Sequence, residues 1–526
     1  MFTKALAALT KEVRPSGRKY VFVPYDQLSS DIGPLSRERP SDLGVVLVES
    51  PAKAARRPYH KQKLAMVLAN LRSFALEQAA RGVHVVHVVS NEGYAEALER
   101  VLPRTGALTM MEPAERELRV ELASLVAEKK LAVVPHEGWL STREDFARAC
   151  PKPPYRMDAF YKHMRTKTGL LMDGRGKPEG GSLSFDKENR KPWKGTPEAP
   201  RSPTFPRDAI KDEVCALVTE RFSSHPGAVD PDRLPATLAD AEAAWSFARA
   251  HALPHFGPYE DAMSTRSSGL FHTRISALMN LHRLLPSRVV GDVASARLPI
   301  ATREGFVRQI LGWREYVRHV HAATDGLRKI PGLPEPSPSE PASPSWLGAD
   351  RPLPAAFWGN APSGLHCLDT VVRDVWDEAY GHHITRLMVL SNLATLLDVS
   401  PRELTDWFWV AYADAFDWVV EPNVLGMGTY AAGPLMTTKP YVSGAAYLAK
   451  MSDYCHGCAF DPKTTCPITR LYWAFLARHE ARLPGPRMAM PLVSVRKRSA
   501  AEREADAATF ERVSRELTEG ARLSPR

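Results

Sequence analysis

Nowhere in its 526 residues does the chain carry an apolar run approaching the roughly 20 residues of a membrane-spanning helix, which argues against a helical membrane protein. Cysteine is scarce. Six in so long a chain do not make a disulfide scaffold, and clustered thiols without that role fit a reducing cytosol. The opening, Met1 to Thr10, meets charge at Lys4 and is too short for a secretory signal, so a cytoplasmic protein is expected. Also missing is any G-x-G-x-x-G after the first β-rich run, which removes support for a dinucleotide site there. Nor does one sign of charge dominate: 69 basic against 60 acidic side chains leave +9 and a pI of about 9.1. That excess draws the chain toward polyanions, of which nucleic acid is the commonest. Its length, with 44% hydrophobic and 25% charged residues, fits two to four ordinary domains.

What cysteine there is lies mostly in one place. Cys455, Cys458 and Cys466 are spaced C-x2-C-x7-C with Pro467 directly after, gathering thiolates on a tight loop as a metal or cluster requires. A fourth ligand is needed, and Cys367 is the candidate, because Cys150 and Cys215 lie far upstream. Zinc and an iron-sulfur cluster both accept four thiolates. The proline ending and the nearby Tyr447, Tyr454, Phe460, Tyr472 and Trp473 favour iron-sulfur, with buried unreactive thiols as the plain alternative. Either metal site would tie a helical segment to a distant C-terminal loop.

The first part alternates β-rich and helical runs. Tyr20–Val23, Val45–Val48, Val83–Val89, Ala107–Met111 and Leu131–Val134 read as buried strands, and Tyr59–Ala80, Tyr94–Val101 and Ala114–Glu128 as helices between them. This is the pattern of a doubly wound parallel sheet, expected over residues 1–140. Ligands of such sheets sit beyond the carboxyl ends of the strands, which points to Pro24–Leu28 and the loop after Glu49. Residues 141–230 read as a polar, proline-bearing connector with one helix, Arg156–Thr168, and an extended surface crossing at Asn189–Lys194. A large all-helical domain is expected over 231–494, through Leu238–Ala250, Leu270–Leu284, Glu304–Ala322, Cys367–Ala379, His383–Leu397 and Pro401–Ala413. Pro331–Pro344 is a solvated loop, and the charged tail, 495–526, is a solvated flank that forms an amphipathic helix at most.

Several helical-half stretches together resemble the bacterial iron-sulfur photolyases and cryptochromes. They are Phe256-Gly257 with Glu260–Met263, Phe306–Tyr316, Ala379–Met388, Tyr412–Phe416, Pro422–Met427, Thr438–Tyr441 and Met451–Cys455, joined more weakly by Asp26–Ser29, Lys167–Met172 and Asn189-Arg190. The resemblance implies an α/β antenna domain followed by a helical domain that holds FAD and a [4Fe-4S] cluster. It implies light-driven repair of (6-4) pyrimidine photoproducts in UV-damaged DNA by a monomer. A blue-light photoreceptor of the same fold is the alternative, and a DNA-binding module with a structural cluster is a third reading.

Residue by residue, the resemblance assigns Thr273 and Ser276 to the flavin pyrophosphate, where a helix start offers free N–H groups. Gln309, Trp313 and Arg314 would line the pocket, Arg386 and Asp414 would pair beside the flavin ring, and Asn423 would face its N5. Repair of the (6-4) adduct needs proton transfer, and the adjacent imidazoles of His382 and His383 can supply it near neutrality; His383 is the expected donor. Trp407 and Trp358 resemble a relay that re-reduces the flavin, with Phe408 where a tyrosine is expected. Asp26, Gln27 and Glu49 match positions facing an antenna, typically 6,7-dimethyl-8-ribityllumazine, although Lys53 stands where a second carboxylate is expected. Tyr441, beside Lys439, would stack on the lesion, and basic residues would hold DNA phosphates without reading sequence.

Overall fold

The computed structural model describes residues 1–483 and 485–525. Pro484, inside the expected helical domain, and Arg526, at the end of the expected tail, lie outside the described residues. Five strands form one wholly parallel sheet: β1 (Lys19–Phe22), β2 (Leu43–Glu49), β3 (His84–Val89), β4 (Leu108–Met111) and β5 (Leu131–Val134), in the order β3-β2-β1-β4-β5. The order reverses at β1, as doubly winding requires. Every residue of β2 is buried, because helices cover both faces of a parallel sheet. Gly44 pairs with Tyr20 across β1 and β2, and a Cβ there would stand 2.2 Å from the Tyr20 ring; the strands close only because that position is bare.

The remainder is mainly helical. Helix α1 (Lys61–Ala80) packs on the sheet and receives α2 (Ala209–Arg221) along its length. In the stretch read as a connector, α2 and a short helix at Arg143–Ala149 are therefore additional to the expected one, here Met157–Thr168. Asn189 and Trp193, in the expected surface crossing, are buried anchors. Two further expectations are corrected. Leu270–Leu284 is helical only at Ser276–Asn280, because Leu270, Arg274 and His282 take positive φ values of 41°, 57° and 56°, which breaks a right-handed helix. Ala114–Glu128 is two short helices, Arg116–Glu121 and Ala123–Ala127.

A second core lies between α3 (His366–Glu378), α4 (Pro401–Ala411), α5 (Pro467–His479) and α6 (Ala500–Thr518). The tail is thus no solvated flank: Phe510, Val513 and Leu517 of α6 are buried in this core. Asp506 binds Arg498 at 2.7 Å and Arg470 at 3.3 Å. Pro331–Pro344 forms no regular element. Among the described residues no helix is long and apolar enough to cross a membrane.

Four helical stretches open into the wide π turn: Ala248–Ala252, Arg308–Arg314, Thr385–Ser391 and Glu421–Gly428. The last three contain Gln309, Trp313, Arg314, Arg386 and Asn423. Such turns gather at functional sites because they re-aim side chains.

Candidate functional site

Arg386 and Asp414 meet in a bidentate pair at 3.0 and 3.0 Å. Arg386 Nε also donates to the Gly381 carbonyl at 2.7 Å, and Ser276 Oγ donates to Asp414 at 2.7 Å. Burial raises the Asp414 carboxyl, but Arg386 and the Ser276 hydroxyl outweigh it and hold the pKa below the usual range. The Arg386 guanidinium lies 4.0 Å over the Tyr412 ring, whose buried hydroxyl has no partner. Arg314 joins this cluster through Asn280, bonding its side-chain oxygen at 3.3 Å while Asn280 donates to the Asp414 carbonyl at 2.9 Å. Its guanidinium also lies 4.1 Å over Trp139, and Trp313 packs edge-on to Tyr316 at 6.0 Å. Gln309 donates to Glu260 at 2.6 Å, and the Asn423 amide donates to the Val419 carbonyl at 2.8 Å within its own helix. Ser276 opens a helix of only five residues, and Thr273 lies in the irregular run before it.

The histidine pair has a third member that sequence spacing did not reveal. His272 stacks on His382, with centroids 4.3 Å apart and planes 9° from parallel, and sits 5.3 Å from His383. Their ring nitrogens lie within 4.8 Å of one another. Parallel imidazoles direct their in-plane lone pairs along lines that never meet, so this trio cannot close on one ion. Burial, and then the neighbouring imidazoles, depress His272 and His382 well below the ordinary value, so both are neutral. His272 Nε2 and His382 Nδ1 have no hydrogen-bond partner among the described residues.

His383 is different: 39% of its side chain is exposed, and its Nε2 lies 3.9 Å from Asp261. Desolvation, then Arg308 and Arg386, pushes its pKa down to about 4. Around it Arg308 holds Asp186 at 3.0 Å and Arg190 approaches Asp261 at 3.7 Å. Burial pushes Asp261 up to about 6, despite Arg190. The half-buried hydroxyls of Tyr441 and Tyr447 feel the same charges, Arg190 and Asp186. His383 is thus surrounded by charges of both signs, Arg190, Arg308, Asp186 and Asp261.

Trp407 is fully buried and edge-on to Tyr412 at 6.0 Å. Trp376, which the sequence did not single out, lies 5.9 Å from Trp407 and 5.9 Å from Trp358. Trp407 and Trp376 both donate their indole N–H to the Phe357 carbonyl, at 2.9 and 3.0 Å, and Trp358 is 37% exposed. An indole row therefore runs from Tyr412, beneath Arg386, to the surface. The signal available in sequence was the i, i+9 spacing of Cys367 and Trp376 on one helix, which carries no redox meaning by itself.

At the sheet's carboxyl end a cavity of about 210 Å³ is lined by Tyr25, Glu49, Lys53, Tyr94 and Trp409, among others. Glu49 is held by Arg72 at 2.7 and 2.9 Å and by His87 at 2.9 Å. Lys53 is paired with Glu115 at 2.6 Å. Gln27 donates to the Met111 carbonyl at 3.1 Å and lies with Asp26 outside the lining. Asp26 is buried with one carboxyl oxygen unpartnered, and burial pushes its pKa up to about 7.

The four cysteines converge across the second core. Cys466 caps α5, Cys367 is the second residue of α3, and Cys455 and Cys458 lie on the loop between. His366 bonds the Tyr454 carbonyl at 2.8 Å, fixing α3 to that loop. Burial, and then charge on the other three thiols, drives Cys367 far above its ordinary value; burial pushes Cys466 up to about 12. Such thiols become thiolates only beside a cation.

A family model described as "Deoxyribodipyrimidine photo-lyase-related protein" matches residues 21–234. A protein named "(6-4) photolyase" from Agrobacterium fabrum is 33% identical over 496 residues, covering 90% of this chain and 94% of that protein. Two solved structures share the fold. A bacterial class III photolyase from Agrobacterium tumefaciens gives a TM-score of 0.55 at 13% identity, over 95% of this chain and 98% of its own. A Synechocystis cryptochrome gives 0.52 at 14% identity, over 95% and 99%. A five-stranded parallel sheet, a helical remainder and an identity of that extent over nearly the whole chain together place this protein in the photolyase and cryptochrome family, among its deoxyribodipyrimidine photolyase-related members.

Proposed function

We propose that this protein repairs (6-4) pyrimidine photoproducts in DNA, using FAD and light. The observation that carries the reading is the placement of His383 among charges of both signs, on the chain segment that also carries Arg386 of the Arg386–Asp414 pair, with His272 stacked on its neighbour His382. Two buried polar atoms on residues that would face the flavin, the Tyr412 hydroxyl and His382 Nδ1, lack partners among the described residues, and such a group would satisfy them. Arg386, Asp414, Ser276, Gln309 and Asn423 would hold it, and Arg314 would brace Asp414 from behind. When bound, FAD supplies the light-driven electron. Residues of the chain do the rest. The exposed Arg190 neutralises phosphates, Tyr441 and Tyr447 offer ring faces to an everted base, and His383 gives its proton to the lesion. Trp407, Trp376 and Trp358 carry electrons inward.

The cysteine set fits an iron-sulfur cluster better than zinc. The C-x2-C-x7-C-P ending and the aromatics around it, Tyr454, Phe460 and Tyr472 among them, favour the cluster. A cluster there would fasten α3 to the C-terminal loop. The ribityllumazine antenna does not fit the cavity as folded. Its 210 Å³ falls below the roughly 300 Å³ at which small-molecule sites begin, Glu49 is already spent on Arg72, and Lys53 fills the carboxylate position.

The test is illumination of reduced protein with oligonucleotides carrying either a (6-4) adduct or a cyclobutane dimer, followed by chromatography. The (6-4) strand is expected to be restored, with that activity lost in His383→Ala while flavin bands persist. Repair of the dimer alone, or undiminished repair in His383→Ala, would overturn the assignment. A protein that photoreduces its flavin and restores neither strand would be a photoreceptor.

A further inference from the structure

The loop from Gly269 to Arg274 is bent around one side chain. Leu270 and Arg274 hold positive φ values of 41° and 57°, a conformation that residues with a Cβ adopt at a cost and that gathers at functional sites. Between them stands His272, whose amide donates to the Gly269 carbonyl at 2.9 Å. Arg274 locks the bend onto the segment that leads to the histidine pair. Its guanidinium donates to Glu378, the last residue of α3, at 2.6 Å and to Ser268 at 2.6 Å, and lies 4.3 Å over the Tyr380 ring.

The bend delivers a ring that touches both imidazoles of the pair. His272 lies flat on His382 at 4.3 Å and edge-on to His383 at 5.3 Å, while Phe256 meets it edge-on at 5.4 Å and 88°. The Glu260 carbonyl accepts from one of its ring nitrogens, and Nε2 is buried without a partner among the described residues. The donating nitrogen is therefore Nδ1, which fixes the neutral tautomer. His382 is 3% exposed. His383, Arg386 and Arg274 are its titratable and charged neighbours, and each of them disfavours a proton there.

We infer that His272 is a positioning residue: lying across one face of His382, it keeps water off the inner imidazole, holds both rings in place and confines the transferable proton to His383. The last of these rests on the proposed role of His383 as proton donor. The physical ground is desolvation. An imidazole roofed by a second ring and overlooked by two guanidiniums gains nothing from a proton, whereas His383, 39% exposed and 3.9 Å from Asp261, has both water and an anion to meet one. Deleting the His272 ring would leave a hole edged by the His382 ring and the Glu260 carbonyl, polar enough to admit water. A benzene ring in its place would keep the water out.

Two readouts decide it. In protein carrying isotope-labelled histidine, proton–nitrogen correlation spectra across pH report the ionisation of each ring, with His382→Gln and His383→Gln identifying the signals. His382 should stay neutral down to about pH 5 in the wild type and in His272→Phe, and take up its proton roughly one pH unit higher in His272→Ala. Repair of the (6-4) strand should fall about tenfold in kcat in His272→Ala with KM unchanged, and return close to the wild-type rate in His272→Phe. Arg274→Gln, which frees the bend and leaves the ring, should move both readouts the same way, and serves if His272→Ala does not fold. An unshifted His382 in both His272→Ala and Arg274→Gln, or no advantage of His272→Phe over His272→Ala, would overturn the role. A protein that restores neither lesion would remove the proposed function and the repair readout together, and the spectra would still decide whether His272 governs the ionisation of His382.

Discussion

His383 is neutral, since desolvation and the charges of Arg308 and Arg386 hold it at about 4. A proton donor needs the opposite. On the proposed reading, DNA phosphates arriving at the exposed Arg190 bring negative charge close to it, so substrate itself would raise the imidazole into its working range. The (6-4) repair rate is then expected to fall as pH rises through the pKa of the DNA-bound imidazole. Arg308→Gln removes the largest charge holding that imidazole down, so the falling limb should move to higher pH. A limb that stays in place would show that His383 is not the titrating group. At this scale sequence reading found the Arg386–Asp414 pair, the His382–His383 pair and the four cysteines, because each lies in a recognisable run. It missed His272 and Trp376, whose partners His382, Trp407 and Trp358 are 110, 31 and 18 residues distant along the chain and are brought near only by packing.

Among elements, strands and long helices were readable from alternation and apolar spacing, while the wide turns were not. Arg308–Arg314, Thr385–Ser391 and Glu421–Gly428 have ordinary helical compositions, and nothing in a residue's identity announces an extra residue per turn. The expected helix at Leu270–Leu284 failed for the converse reason: its apolar spacing is real, but Arg274 turns back to bind Glu378 at 2.6 Å and Ser268 at 2.6 Å. Helix α6 was misjudged because its charge hides a buried stripe. Arg478 lies 3.4 Å over Phe510, and Arg351 lies 4.5 Å from the same ring. Phe510→Ala should cost about 3–5 kcal/mol, measured as a lowered urea midpoint. A loss under about 1 kcal/mol would mean that α6 only rests on the surface.

For the molecule as a whole, acid should be the weak side. Burial holds His60, His282 and His319 neutral, with pKa values pushed down to about 4, 3 and 2. The unfolded chain takes up protons at these sites from about pH 6.5, so the stability they give is present above that value and is lost as pH falls toward 4. Asp145 adds to the loss: burial is outweighed by Lys167 and the Thr142 amide, which hold it at about 2. Asp26 and Glu260, raised by burial to about 7, act oppositely, and their contribution disappears as pH climbs through 7. Melting temperature should therefore peak near pH 6–7 and drop steeply below 5, with His319→Gln flattening the acid limb. A profile level down to pH 4.5 would contradict this balance.

Helix α3 carries Cys367 near its start and Trp376 near its end, and the chain reaches His382 four residues after it closes. Those two positions are 376 minus 367, or nine, residues apart, a rise of about 13.5 Å at a fixed rotation. The rod behaves like the toothed shaft of a lock: one residue added or removed would swing the indole about 100° away from its neighbours while the thiol stayed home. Neither end can drift alone, which makes this short span the common gauge for the four cysteines, the indole row and the imidazoles.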